Sequence, residues 1–261
     1  MSDEVKNSST AENSEAESDL SIDVSDINKA NEQNDGNSTL ASSQSISEQP
    51  VERDSHIYSP EGDNLEKMIL STGIRVGTPV KTKYMTPFIV RANPEGLYIL
   101  DISKTLSRID VAAKFIGRSA ISKVAVTSAR EYGKTPVEKF CELTGATCIL
   151  GRFMPGTFTN PSLPKYMEPE LVIVTDPQAD QQAVTEATRA GVPVIAISNS
   201  DNVTSKVDLI IPANNRGRKA LATVYWLLAR EVLKKQGSIQ RDSEMKMSID
   251  DFETKLVEEI P

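Results

Sequence analysis

The chain has one histidine, two cysteines and no apolar run approaching the roughly 18 residues that a membrane-spanning helix requires. Each scarcity removes a class of function. His56 lies in a segment expected to be disordered, so the folded part has no imidazole to act as base, proton shuttle or zinc ligand. Cys141 and Cys148, predicted in a helix and in a strand, lack the paired spacing of a metal site and read as reduced, structural thiols. The N-terminus has neither the basic nor the apolar region of a signal peptide, which points to the cytoplasm and away from a membrane. There is no GxGxxG after a first strand, no GxxxxGK[ST], and no Ser or Cys nucleophile with a candidate base. On these grounds no catalytic residue, metal or cofactor is expected.

What is present is unevenly distributed. The 261 residues carry a net charge of −8. Residues 1–61 hold 14 acidic against 3 basic side chains, residues 62–236 hold 16 against 23, and residues 237–261 hold 7 against 3. The pieces are therefore −11, +7 and −4, so an acidic chain has a cationic middle, and charge must be read part by part. Up to Ile57 and Tyr58 the first piece is dominated by Ser, Asn, Asp, Glu and Gln without an aromatic, the composition of a disordered extension. The division is a disordered acidic extension at 1–61, a folded domain at 62–236 and an acidic tail at 237–261.

The middle piece alternates. Asp63 and Glu66 form a capping box for a short helix ending near Leu70. Apolar runs at 88–90 and 97–100 flank Asn93-Pro94-Glu95-Gly96, a turn sequence, and predict a hairpin. Helices follow at 104–117, 136–144, 180–190 and 216–236, with strands at 123–127, 147–150, 171–175, 193–197 and 208–212. Thr135 to Glu138 reads as a second capping box, and Gly145, Gly191 and Gly237 stand where left-handed caps belong. Alternating strands and helices predict an α/β, Rossmann-like (flavodoxin-like) parallel sheet with helices on both faces, preceded by the hairpin and the disordered extension. LVIVT and PVIAI are apolar on both faces and belong at its centre. In the last helix Leu221, Val224, Tyr225, Leu228 and Val232 share one face, and Trp226 is read as core.

Three places carry candidate chemistry. Between strands 147–150 and 171–175 runs a long loop opening GRFMPGTFTN, too rich in aromatics and prolines for disorder. Phe153, Phe158 and Tyr166 are expected there as rigid protein-contact surface, with Arg152 and Lys165 as positive charge. Asp176 and the run Ser198 to Asp201 fall at strand ends where such sheets bind ligands. Asp176 is expected to cap or precede a helix, and the Ser198–Asp201 run either binds phosphate or makes an Asx-rich turn, the latter preferred. A metabolite-binding or enzymatic use of Asp176 and Asp201 is the alternative reading, and a scaffold acting through the acidic extension is a third. Finally, Lys81, Lys83 and Arg91 surround the hairpin with Tyr84 and Phe88 interleaved, and Arg216, Arg218 and Lys219 follow Asn214-Asn215 at a helix start. Both clusters suit phosphate, the second because a helix N-terminus favours anions. These contacts address phosphate and RNA shape rather than base identity.

Along residues 64 to about 236 the chain resembles ribosomal protein two of the small subunit, in its archaeal and eukaryotic branch. The resemblance rests on GLYILDISKTL at 96–106, GRFMPGTFTN at 151–160, LVIVTDPQAD at 171–180, VPVIAISNSDN at 192–202, IIPANNRG at 210–217 and WLLAREVL at 226–233. Asp251-Phe252-Glu253 in a short tail looks archaeal. The resemblance implies a Rossmann-like domain without nucleotide chemistry, seated on small-subunit ribosomal RNA beside neighbouring ribosomal proteins at the junction of head and body. It implies a structural part in translation and subunit assembly, with residues 77–91 approaching RNA and no small-molecule substrate or membrane as partner. The acidic extension is a departure from the family core.

Overall fold

The structure is a computed structural model in which residues 67–239, 245 and 247–255 are described. The expected capping box of Asp63 and Glu66, His56 and the whole of residues 1–61 lie outside them, although residues 67–71 are helical as that box anticipated. Strands β1 (Ile89–Ala92) and β2 (Tyr98–Leu100) form the expected antiparallel hairpin. Its turn closes through the Gly96 N–H on the Asn93 carbonyl at 2.9 Å, with Gly96 at φ +83°, a conformation that suits glycine.

Helix α1 (Ile102–Arg118) starts two residues before the predicted position, because Asp101 accepts the Ser103 N–H at 3.0 Å and supplies the N-cap. Then follow β3 (Val124–Ser128), α2 (Lys134–Thr144), β4 (Thr147–Leu150), β5 (Leu171–Val174), α3 (Gln181–Ala190), β6 (Val194–Ser198), β7 (Leu209–Pro212), α4 (Arg218–Lys235) and a short α5 (Ile249–Phe252). The second capping box is corrected. Thr135 sits inside α2, which continues directly from a 3-10 turn at Glu131–Gly133 and is preceded by Gly133 without a side-chain cap. Gly145 and Gly191 do take left-handed conformations at the ends of α2 and α3.

The five parallel strands are ordered β4-β3-β5-β6-β7, the flavodoxin-like arrangement in which the chain reverses direction between β3 and β5. Period-two alternation sends larger side chains to one face and smaller ones to the other. Val124, Val126, Leu171, Ile173, Ile195 and Ile197 pack under α1, α2 and α4. Ala125, Val172, Val174, Val194 and Ala196 pack under α3 together with Phe153 and Phe158. The long loop therefore does the covering that a second helix would otherwise do on that face.

Two expectations about the C-terminal part change. Helix α4 is buried not on one stripe but nearly all round, from Ala220 to Leu228 and beyond. The reason is the tail: α5 and its flanks lie against α4 in place of solvent, Phe252 is fully buried in the larger core, and Trp226 donates its indole N–H to the Met247 carbonyl at 2.9 Å. Trp226 is core, as expected. The acidic tail predicted to lie beyond the domain is thus, over residues 247–255, a strap packed on it, and α5 carries its own capping box between Ser248 and Asp251.

Phe252→Ala is expected to lower stability by about 3 to 5 kcal/mol through the cavity it leaves. Glu253→Gln, in a partly exposed pair with Arg218, should change it by less than about 1 kcal/mol. Urea unfolding monitored through the single tryptophan measures both, and equal effects would show that the strap is not held by its apolar anchor.

Candidate nucleic-acid interface

In a sheet of this order the ligand crevice opens outside the C-terminal ends of the strands, at the point of reversal between β3 and β5. Here that crevice is filled by the chain itself. Asp176, fully buried just past β5, accepts the Arg130 Nε–H at 2.6 Å and pairs with the same guanidinium through Nη2. Its other oxygen accepts from the Gln178 N–H and from the Asn202 side-chain amide, both at 2.9 Å. Asp176 is therefore not a helix cap. It is a junction between the end of β3, its own turn and the β6–β7 loop. The room beside it is closed as well, since a Cβ built on Gly133 would lie 2.2 Å from Ser128 Oγ.

Asp180 completes this wall, accepting the Ala129 N–H at 2.9 Å through Oδ1 while Oδ2 has no partner among the described residues. Burial, partly offset by that N–H and reinforced by the charge of Asp176, pushes its carboxyl up to about 7. Ser198 to Asp201 forms the Asx-rich turn: Asn199 Oδ1 accepts the Ser200 N–H at 2.8 Å, and Asn202 Oδ1 accepts the Asn199 N–H at 2.6 Å. The alternative of an open site using Asp176 and Asp201 loses its geometry, because Asp176 is held by Arg130 and Asp201 is paired with Arg216.

The same turn anchors the basic N-terminal segment. Ser200 Oγ accepts the Thr78 N–H at 2.9 Å and lies 2.8 Å from Thr78 Oγ1, while Thr82 donates its N–H to the Ser200 carbonyl at 2.9 Å. Residues 77–83 thus run along the C-terminal edge of the sheet, and Lys81 and Lys83 are exposed there. Lys81 Nζ lies 5.2 Å from the centre of the Tyr98 ring. Arg91 is exposed on β1 and Arg152 is exposed just after β4. None of these four has an ion pair among the described residues.

The cluster at α4 differs from its expectation. Arg216, Arg218 and Lys219 do not converge on one point: Arg216 pairs with Asp201, Arg218 approaches Glu253 at 3.8 Å, and only the exposed Lys219 has no acidic partner among the described residues. The Asn amides are also occupied. Asn215 Nδ2 donates to the Ile197 carbonyl and to Asn202 Oδ1, and Asn214 Oδ1 accepts the N–H groups of Arg216 and Gly217.

The aromatic surface expected from the loop is corrected for two of its three members. Phe153 and Phe158 are 6% and 4% exposed and meet edge to face at 5.0 Å, committed to the chain's own core. Tyr166 remains half-buried at the surface, donating its hydroxyl to Glu168 at 2.6 Å. What holds the loop is Glu186 of α3, a buried carboxylate that accepts the backbone N–H groups of Gly156 at 2.7 Å and Phe158 at 3.3 Å. Sequence reasoning passed over Glu186, Arg130 and Asn202. Only the place of Arg130 three residues past the strand predicted at 123–127 could have pointed to it.

The five-stranded parallel sheet, its crevice occupied by Arg130, Asp176 and Asn202 and its edge carrying exposed cations, defines an α/β, flavodoxin-like domain. The sequence profile described as Ribosomal protein S2 matches residues 163–234. A Nitrosopumilus maritimus protein named Small ribosomal subunit protein uS2 is 61% identical over 199 residues, 76% of this chain and 96% of that one. Proteins of the same name from Cenarchaeum symbiosum and Thermofilum pendens are 54% and 53% identical, over 77% and 73% of this chain and 97% and 89% of theirs. The chain belongs to the small ribosomal subunit protein uS2 family, in its archaeal form.

Because the folded-state carboxyl of Asp180 lies above its ordinary value, its contribution to stability is full below about pH 4 and is lost as pH rises through about 7. Asp180→Asn keeps the acceptor for Ala129 and removes the ionisation. Its melting temperature should rise relative to the parent as pH is raised from about 5 to about 8, and a constant difference across that range would refute the assignment.

Proposed function

We propose that the protein is a structural constituent of the small ribosomal subunit, holding small-subunit ribosomal RNA along the C-terminal edge of its sheet and neighbouring ribosomal proteins beside it. The observation that carries this is the 61% identity to a protein named Small ribosomal subunit protein uS2 across nearly that protein's whole length. The position at the junction of head and body, the requirement in assembly and translation, and residence on cytoplasmic ribosomes belong to the proposal on the strength of the resemblance. Among the described residues no helix is long and apolar enough to cross a membrane. A non-catalytic role is supported by the crevice that Arg130, Asp176 and Asn202 occupy where an enzyme of this fold would hold its substrate.

Within this reading Lys81, Lys83, Arg91, Arg152 and Lys219 are the phosphate contacts that need no rearrangement. Arg216 and Arg218 reach phosphate by exchanging Asp201 and Glu253 for it. That exchange has a physical basis, since a multiply charged phosphate chain offers a guanidinium a stronger field than a single carboxylate. Tyr166 is the loop aromatic left to meet a protein neighbour.

The test is sedimentation of the native protein from a cell lysate, before and after a high-salt wash. Migration with small subunits, loosened by salt, is the expected result, and residence only at the top of the gradient would overturn the reading. For the contacts, a triple variant Arg91→Gln, Arg152→Gln, Lys219→Gln leaves no internal carboxylate orphaned. It should remain folded and lower the slope of log affinity against log salt by roughly 2 to 3 if all three residues touch phosphate.

A further inference from the structure

We infer that Tyr84 is a stacking platform for an unpaired RNA base, with Lys81 and Lys83 holding the adjoining backbone phosphates. This rests on the RNA-binding reading above and deepens it by naming the state of the RNA, single-stranded rather than duplex, at one stretch of the surface.

Four observations carry it. Tyr84 is 62% exposed, against 39% for Tyr132, the other largely exposed aromatic among the described residues. The remaining aromatics of this region are engaged internally: Tyr98 beneath Lys81, and Phe88 beneath the Arg108 guanidinium at 5.5 Å. Tyr84 is also held in place although it touches little. It occupies a turn fixed on one side by Thr82, bonded to the carbonyls of Ser200 and Asn202, and on the other by fully buried Met85, whose N–H returns to the Thr82 carbonyl at 3.2 Å. On a clamped turn the backbone has no freedom left to lose when a base settles on the ring, so that only the two side-chain torsions of Tyr84 need ordering. Finally, from Lys67 to Pro94 the chain has five basic residues and no acidic one, the first carboxylate being that of Glu95. A ring on a segment whose own charged side chains are all positive suits an anion that carries flat apolar faces, which describes single-stranded RNA. Val80 and Val203, exposed at 60% and 66%, offer apolar surface that a protein neighbour could also use, but the net positive charge of this segment favours the nucleic acid.

The full chain is titrated with a short unstructured RNA and with a blunt RNA duplex of the same strand length. Tyr84→Ala should weaken the single strand by about 5- to 100-fold and leave the duplex within about 2-fold. Tyr84→Phe should bind as the parent, and Tyr84→Leu, equally apolar but without a π face, should bind as the alanine variant. Lys81→Gln with Lys83→Gln should weaken both RNAs and lower the salt slope by roughly 2. Three outcomes overturn the proposal: equal losses on both RNAs for Tyr84→Ala, parental affinity for Tyr84→Leu, or unchanged single-strand affinity for Tyr84→Ala together with poorer retention in small subunits. The last would give the surface to a protein neighbour. If the lysine pair still lowers RNA affinity in any of these cases, the RNA-binding reading stands while the stacking platform falls.

Discussion

The buried carboxylate of Asp176 is the constraint on which the rest of this structure turns. A fully buried charge is tolerated only when paired and hydrogen-bonded, and Asp176 draws its partners from three separate parts of the chain: Arg130 past β3, the Gln178 N–H of its own turn and Asn202 in the β6–β7 loop. Asn202 in turn accepts from Asn199 and Asn215, and the neighbouring Ser200 holds Thr78. One ion pair thus sets the relative positions of the ends of β3, β5 and β6, the start of α4 and the N-terminal segment. Removing Arg130 is the costly change, about 3 to 5 kcal/mol for a charge left buried and unpaired, because Asp176 is fully buried whereas Arg130 is partly exposed. The network also fills the usual ligand crevice of a flavodoxin-like sheet, because the polar groups that line it solvate each other.

With the crevice closed, the C-terminal edge is free to serve as a rim. Every strand end delivers chain to this edge, so cations that follow strands arrive there without further design: Arg130 after β3, Arg152 after β4, Arg216 and Arg218 after β7. Their fates divide by burial. Arg130 is drawn inward to Asp176, Arg216 and Arg218 are balanced by Asp201 and Glu253, and Arg152 stays exposed. The strap formed by the tail takes part in this balance, since Glu253 and the Thr254 carbonyl reach Arg218 while Phe252 fixes the segment in the core.

Local signals were well legible in the sequence. Helix stops at Gly145 and Gly191, the hairpin around Asn93 to Gly96, and the central places of β5 and β6 all follow from residue chemistry confined to a few neighbours. Starts were read less well. Asp101 looks like any acidic residue until its side chain meets the Ser103 N–H, and Thr135 looks like a cap although a preceding 3-10 turn already feeds the helix. What sequence could not show is pairing across long separations. The length of the GRFMPGTFTN loop and its richness in aromatics and prolines suggest contact surface. Phe153 and Phe158 go inside because β4 to β5 has no crossover helix, and the sheet face beside α3 still needs an apolar cover. The residue that holds the cover down, Glu186, lies 30 positions from Gly156 and carries no local mark.

The same separation of scales explains the cationic clusters. Charge counted along the chain treats Arg216, Arg218 and Lys219 as three like charges in a row, but folding brings Asp201 and Glu253 to the first two. Around the hairpin the correction is smaller, because the chain from Lys67 to Pro94 has no carboxylate of its own; Asp101, whose N–H reaches the Phe88 carbonyl, faces the Ser103 N–H and Lys104, and Asp201, between the Ser200 and Asn202 that hold this segment, is paired with Arg216. The N-terminal segment of the domain therefore keeps more of its positive field than the start of α4, which is already half compensated. A polyanion would meet the first, and Lys219 in the second, without displacing an ion pair, and Arg216 and Arg218 only by exchange. On physical grounds the less compensated side favours the rate of such an encounter, and the exchanging side the firmness of the hold that follows.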